Sequence, residues 1–279
     1  MTACVILSDV EDRGYGRAAL RSWLQQRGVA VPWRLVVACQ DPATPARWGW
    51  EELARPGDRL LIQPGASLNA LLNAAAREAD ADWLLVTECH VLAHPGTLAA
   101  ALARCETGPR VLALGSRSFA SRSRFARGQG ALFAWNAENA HRFNPWHRFW
   151  IRGTLLPRAA WEAVGGLAED YGHFAEVHLG MKLADHGLPP DTLPGEWLTH
   201  VELETLQELE DANRLYAKHE RLARAREPQL VGRYLPRAAL PRPASPWLTG
   251  AWRLALTRLP LPQPAYDRLL VRFARLTAR

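Results

Sequence analysis

"DWLLVTECHVLAHPG", residues Asp82 to Gly96, decides how the chain folds. Trp83, Leu84, Leu85 and Val86 form an unbroken apolar run, the composition of a strand buried on both faces. That strand ends in Glu88-Cys89-His90, and His94-Pro95-Gly96 then opens a helical run to Glu106 with proline at its start. Outward from this stretch the same alternation recurs. "ACVILSDV" (Ala3–Val10), "WRLVVAC" (Trp33–Cys39), "DRLLIQ" (Asp58–Gln63) and "RVLALGS" (Arg110–Ser116) are strand-like. "GRAALRSWLQQRG" (Gly16–Gly28) and "SLNALLNAAAREADA" (Ser67–Ala81) have helical period, the second with Ser67 as candidate N-cap. Strands separated by helices of about ten to fifteen residues predict an α/β fold, a mainly parallel central sheet flanked by helices.

After Ser116 the alternation breaks. Arg117–Gly130 is basic and serine-rich, the composition of a surface loop, and Asn144–Trp150 is dense in aromatic residues. Pro157–Leu167 reads as a short helix ending at a glycine pair, Glu176–Gly187 as a helix, Glu196–Val201 as a strand and Leu206–Glu227 as a charged helix. Five prolines among arginines from Pro228 to Pro246 read as a linker. In Pro264–Arg279, Tyr266, Leu269, Leu270, Phe273 and Leu276 share one helical face and Arg268, Arg272, Arg275 and Arg279 another.

Of the 279 residues, 48% are hydrophobic and 22% charged, an ordinary globular composition. No apolar run reaches the roughly 20 residues needed to cross a bilayer. Met1–Leu7 lacks the regions of a signal peptide, so cytoplasm is the expected compartment. Cys4, Cys39, Cys89 and Cys105 show no metal or disulfide spacing. Residues 226–279 hold ten arginines, no lysine and two acids, a net +8, which leaves −2 for the first 225. This excludes a generally basic, nucleic-acid-binding body. It places the expected division at 1–225 and 226–279. The tail has two readings: peripheral contact of residues 246–279 with the inner face of an anionic membrane, or packing against protein.

Three constellations carry possible chemistry. A parallel α/β sheet binds ligands beyond the carboxyl ends of its strands. Glu88 and His90, two apart at such an end, offer a carboxylate and an imidazole to a metal; the alternative is a polar strand edge. Glu176 and His178, at the start of a helix, could each act as a general base, although an acid in a first helical turn also favours the dipole. His200 ends a strand, where a lone histidine is most often structural. Cys89 reads equally as a buried thiol and as a nucleophile.

Taken in order, the segments from Ala3 to Glu220 resemble a family 2 glycosyltransferase of the GT-A fold. "CVILSDVEDRGYGRAALRSWLQQ" is similar to the family's opening strand, nucleotide-side loop and first helix. "LNALLNAAAREADADWLLVTECHVLAHPG" is similar to the segment with its metal-binding Asp-x-Asp, and "WIRGTLLPRAAWEAVGGLAEDYGHFAEVHLGMKLADHG" to its acceptor side. The resemblance implies an inverting transferase that takes a nucleotide-sugar donor and a glycan or lipid-linked acceptor, assisted by Mn or Mg. It places Glu88 and His90 where the family has its two aspartates, His200 as a late metal ligand, and Glu176 as the base. It places Asp9 and Glu11 in the nucleotide-side loop, Cys39 where the second strand ends in nucleoside-holding acids, and Asn73 at a frequent helix asparagine. Arg117–Trp150 falls beside the acceptor. The competing readings are a catalytically inactive GT-A-like binding or scaffold protein, and a nucleotidyltransferase-like enzyme, disfavoured by the lack of a glycine-rich phosphate loop.

Overall fold

A computed structural model describes residues 1–108, 110–119, 123–132, 149–236 and 246–277, with side chains described except at 246–250 and 274–277. The chain forms two compact units: residues 1–117 with 145–201, and residues 118–144 with 202–279.

The first unit is built on an eight-stranded sheet in the order β3-β2-β1-β4-β7-β6-β8-β5. β1 (Ala3–Ser8) is buried throughout, and β2 (Trp33–Cys39), β3 (Arg59–Ile62) and β4 (Trp83–Glu88) extend the parallel part on its two sides. β1 meets its neighbours with Ser8 opposite Ala38 and Glu88, so these strands end along one edge of the sheet. The pairings among those four strands are parallel. β7 (Thr154–Pro157) runs antiparallel between β4 and β6 (Leu112–Ser118), and β5 (Val91–Ala93) runs antiparallel to β8 (Asp191–His200). Neither β5 nor β7 is legible in the sequence, because runs of three and four residues carry no period.

Helices α1 (Gly16–Leu24), α2 (Thr44–Trp48), α3 (Trp50–Leu53), α4 (Leu68–Glu78) and α5 (Thr97–Thr107) fill the connections between these strands. Ser67 caps α4 as expected, its hydroxyl accepting from the Ala70 N–H at 3.2 Å. Leu20, Trp23, Leu35 and Leu85 share one core with Cys39, Cys89 and Cys105. Gly16 is required where α1 meets α2, because a Cβ there would lie 2.0 Å from the Trp48 ring.

The second unit is helical. Residues 124–132 form a helix, α6, where a loop was expected as far as Gly130. After α7 (Arg158–Ala163) and α8 (Phe174–Asp185) of the first unit, it continues with α9 (Leu206–Arg226), α10 (Pro228–Tyr234), α11 (Pro246–Arg258) and α12 (Gln263–Thr277). α9 begins with a capping box, Thr205 accepting from the Glu208 N–H while Glu208 accepts from that of Thr205. α10 occupies the start of the expected linker. The amphipathic helix forms, but Tyr266, Leu270 and Phe273 are buried with Phe125, Leu132 and Leu209. Tyr266, Leu270 and Phe273 of that apolar face thus pack within this unit, and Arg268 and Arg272 stay exposed. Among the described residues no helix is long and apolar enough to cross a membrane.

Candidate active site

Three side chains meet where β4 ends and β8 returns. The β5–β8 ladder sets Val91 opposite His200, and the Val201 N–H donates to the His90 carbonyl at 3.0 Å. This backbone pairing brings His200 beside the turn that follows Glu88. The ligand-capable atoms of Glu88, His90 and His200 all lie within 4.8 Å of one another. His90 Nε2 is 3.5 Å from Glu88 Oε2, and the two imidazoles meet edge to face with centroids 5.1 Å apart. His90 is 1% exposed and His200 5%. One carboxylate oxygen with two imidazole nitrogens suits Mn, Co, Fe or Zn; Mg prefers more oxygen donors.

Glu176 stands in the first turn of α8, and its Oε2 accepts from the Ile151 N–H at 3.0 Å. The residue as a whole is half-buried. Desolvation, aided by the negative charge of Glu88, pushes it up to about 7 against the Ile151 bond and the charges of His173 and Arg152. A carboxyl poised near neutrality suits proton abstraction. His178, the other candidate base, is buried with its ring edge-on to Tyr171 at 5.0 Å.

The nucleotide-side candidates are placed differently from one another. Asp9 is buried, and its carboxylate accepts from the N–H groups of Gln40 (2.7 Å) and Asp41 (3.1 Å) and the Thr44 hydroxyl (2.8 Å). It therefore braces the loop after β2. Cys39 lies within the core, its thiol pushed up to about 12 by burial. The Asn73 amide donates to the Leu167 carbonyl (2.8 Å) and to Glu169 (3.1 Å), and accepts from the Leu167 N–H (3.0 Å). These bonds hold the turn at Gly165 and Gly166, both at positive φ. Cys89 is buried, its thiol raised by desolvation and aimed at the Val10 carbonyl at 3.4 Å, which removes the nucleophile reading.

Glu11 has a different setting. It is the one non-glycine residue at positive φ among those described, at 60°. Its Oε2 lies 3.1 Å from Arg13 Nη2 and its Oε1 3.4 Å from His173 Nε2. Hydrogen bonding to His173 holds Glu11 down at about 2, and the same bond lifts His173 to about 9. Arg13 also donates to the Val201 carbonyl. Sequence reasoning missed Arg13 and His173. The signal available for His173 was its place three residues before Glu176. The basic stretch assigned to the acceptor side lies mostly outside the described residues.

No protein-family model matches the sequence, and no curated protein matches it. Solved structures do. The chain is similar to the mannosyltransferase PcManGT from Pyrobaculum calidifontis, in complex with GDP-Man and Mn2+, at TM-score 0.65 and 18% identity, covering 99% of this chain and 85% of that one. It is similar to residues 1-349 of S. aureus TarS in complex with UDP-GlcNAc, at TM-score 0.56 and 13% identity over 99% and 82% of the two chains. Glucosyl-3-phosphoglycerate synthase from Mycobacterium tuberculosis gives TM-score 0.57 and 13% identity over 88% and 85%. At these identities the likeness speaks for architecture: the chain has the GT-A glycosyltransferase fold.

Proposed function

We propose that this protein is an inverting glycosyltransferase of family 2 type, moving a sugar from a nucleotide-sugar to a hydroxyl of a glycan or lipid-linked acceptor. What supports the reading is a Glu-His-His cluster at one strand edge of a GT-A fold, whose Glu88 acts electrostatically on a carboxyl poised near pH 7. Glu88, His90 and His200 would hold a divalent cation, and their two imidazoles favour Mn over Mg. Such a cation supplies charge neutralisation to the departing nucleoside diphosphate. Glu176 acts as base: its carboxylate takes the acceptor hydroxyl proton as that oxygen attacks the anomeric carbon and the bond to the diphosphate breaks. The Ile151 N–H fixes the Oε2 of Glu176. We assign Asp9, Cys39 and Asn73 to shaping the nucleotide side of the site, because the polar groups of Asp9 and Asn73 are already bonded within the protein and Cys39 is buried in the core. A second reading, a GT-A-like binding protein without catalysis, is favoured by Glu88 and His90 standing where the resembled family has its two aspartates.

Calorimetric titration of UDP and GDP, with and without Mn²⁺, separates the two. The transferase reading expects binding that requires the metal and is lost in Glu88→Ala and His90→Ala. No binding of either nucleotide with any metal would leave only the second reading.

A further inference from the structure

Glu11 poses a question that nucleotide binding does not answer. A non-glycine residue at φ 60° carries strain of order 1 kcal/mol, and such strain persists where the surroundings over-determine it. Here both oxygens of Glu11 are held by cations from different parts of the chain. Arg13 Nη2 lies 3.1 Å from Oε2, and His173 Nε2 lies 3.4 Å from Oε1. Arg13 reaches the other way, to the carbonyl of Val201, the residue after His200, and Val201 itself donates to the His90 carbonyl. His173 is the N-cap of α8, one turn before Glu176. A continuous line of charge and hydrogen bonds thus runs from the strand end bearing His90 and His200, through the loop after β1, to the helix bearing Glu176.

We propose that Arg13, Glu11 and His173 are positioning residues, a charged bridge that ties the metal-binding strand ends to the helix of the base. The proposal rests on the transferase reading for its purpose but not for its geometry. Glu11 is placed to organise protein, and the left-handed backbone at that position turns its carboxylate between the two cations. The groups that act electrostatically on Glu176 are Glu88 from β4, Arg152 from the loop before β7 and His173 on its own helix. Of these, His173 is held in place by Glu11. The bridge therefore supplies positive charge to a site where Glu88 opposes ionisation of the base.

The test needs no substrate. Carboxyl carbons of ¹³C-glutamate-labelled protein, with Glu176 assigned from Glu176→Gln, are followed against pH in wild type, Glu11→Gln, Glu11→Gly and His173→Gln. The bridge predicts that all three substitutions raise the titration midpoint of Glu176 by about half a pH unit or more. It also predicts that Glu11→Gly, which relieves the backbone strain, melts at or above the temperature of Glu11→Gln. A Glu176 midpoint unmoved in Glu11→Gln and His173→Gln overturns the bridge, even where nucleotide binds with Mn²⁺. A moved midpoint in protein that binds no nucleotide upholds the bridge and overturns the transferase reading alone.

Discussion

Replacing Glu176 with glutamine should make the protein more stable and less active, by an amount that depends on pH. The glutamine amide retains an oxygen to accept from the Ile151 N–H but never ionises. In the wild type the carboxyl is lifted from 4.5 to about 7, chiefly by desolvation. The sign follows from linkage. Below pH 4.5 the group is protonated in folded and unfolded chains alike, and wild type and variant differ little. Between 4.5 and 7 the unfolded chain releases a proton that the folded chain retains, so wild-type stability falls as pH rises. Above 7 the loss is complete. Taken in full, that rise corresponds to about 3 kcal/mol, and partial exposure of the residue reduces it to about 2 kcal/mol. For a chain of this size that is a rise in Tm of roughly 4–8 °C.

The assay is thermal unfolding of wild type and Glu176→Gln at pH 4.5, 6, 7 and 8.5, with EDTA present so that no cation offsets the charge of Glu88. The expected result is a Tm difference near zero at pH 4.5 that opens through pH 6 and reaches a plateau above 7. A difference independent of pH, or a variant less stable than wild type at pH 8.5, would refute both the raised pKa and the claim that a costly carboxyl is kept for its chemistry. Stability gained on removing a buried charged group is the signature of a site under functional constraint.

Two further outcomes are expected. Gly16→Ala forces a Cβ to within 2.0 Å of the Trp48 ring, which also donates to Asp12 at 2.8 Å; we expect a loss of about 1–3 kcal/mol in denaturant unfolding, with looser structure in the loop after β1. Leu270→Ala opens a cavity in the core of the second unit, where Leu270 is fully buried beside Phe273; a loss of about 2–5 kcal/mol should appear as faster tryptic cleavage at the arginines of α11 and α12.

The α/β alternation was legible because β1, β2 and β4 are long apolar runs and α1 and α4 keep their helical period with recognisable caps. What the sequence could not supply was β5, β7 and the antiparallel pairing they make. β7 lies between β4 and β6, although about seventy residues separate it from β4 in the chain, and nothing local marks it. The site divided along the same line. Glu88 and His90 are neighbours in the chain and could be paired by eye, but His200 joins them through the β5–β8 ladder. The amide of Asn73 is consumed by Leu167 and Glu169 because Gly166 packs so near that a Cβ there would meet Asn73 Oδ1 at 2.4 Å. Sequence offers the polar groups and hides which of them the fold has already used. The setting of Glu11 was hidden most deeply, since glutamate is a poor choice for a left-handed backbone and its partner His173 stands far along the chain.

The substituted chemistry of the strand edge is coherent when its charges are taken together. Glu88 already disfavours ionisation of Glu176, and desolvation acts in the same direction. A second carboxylate at position 90 would add negative charge near Glu176, whose proposed role requires ionisation near neutral pH. An imidazole there keeps a metal donor without that charge, and His200 adds another on the same terms. The bridge through Glu11 works to the same end, keeping His173 protonated on the helix of the base while the negative charge of Glu11 is compensated by Arg13 as well. On the proposed transferase reading, a Glu-His-His cluster, the Glu176 carboxyl and an anchored imidazolium form one electrostatic solution: the site would attract a cation and still leave Glu176 able to give up its proton near pH 7.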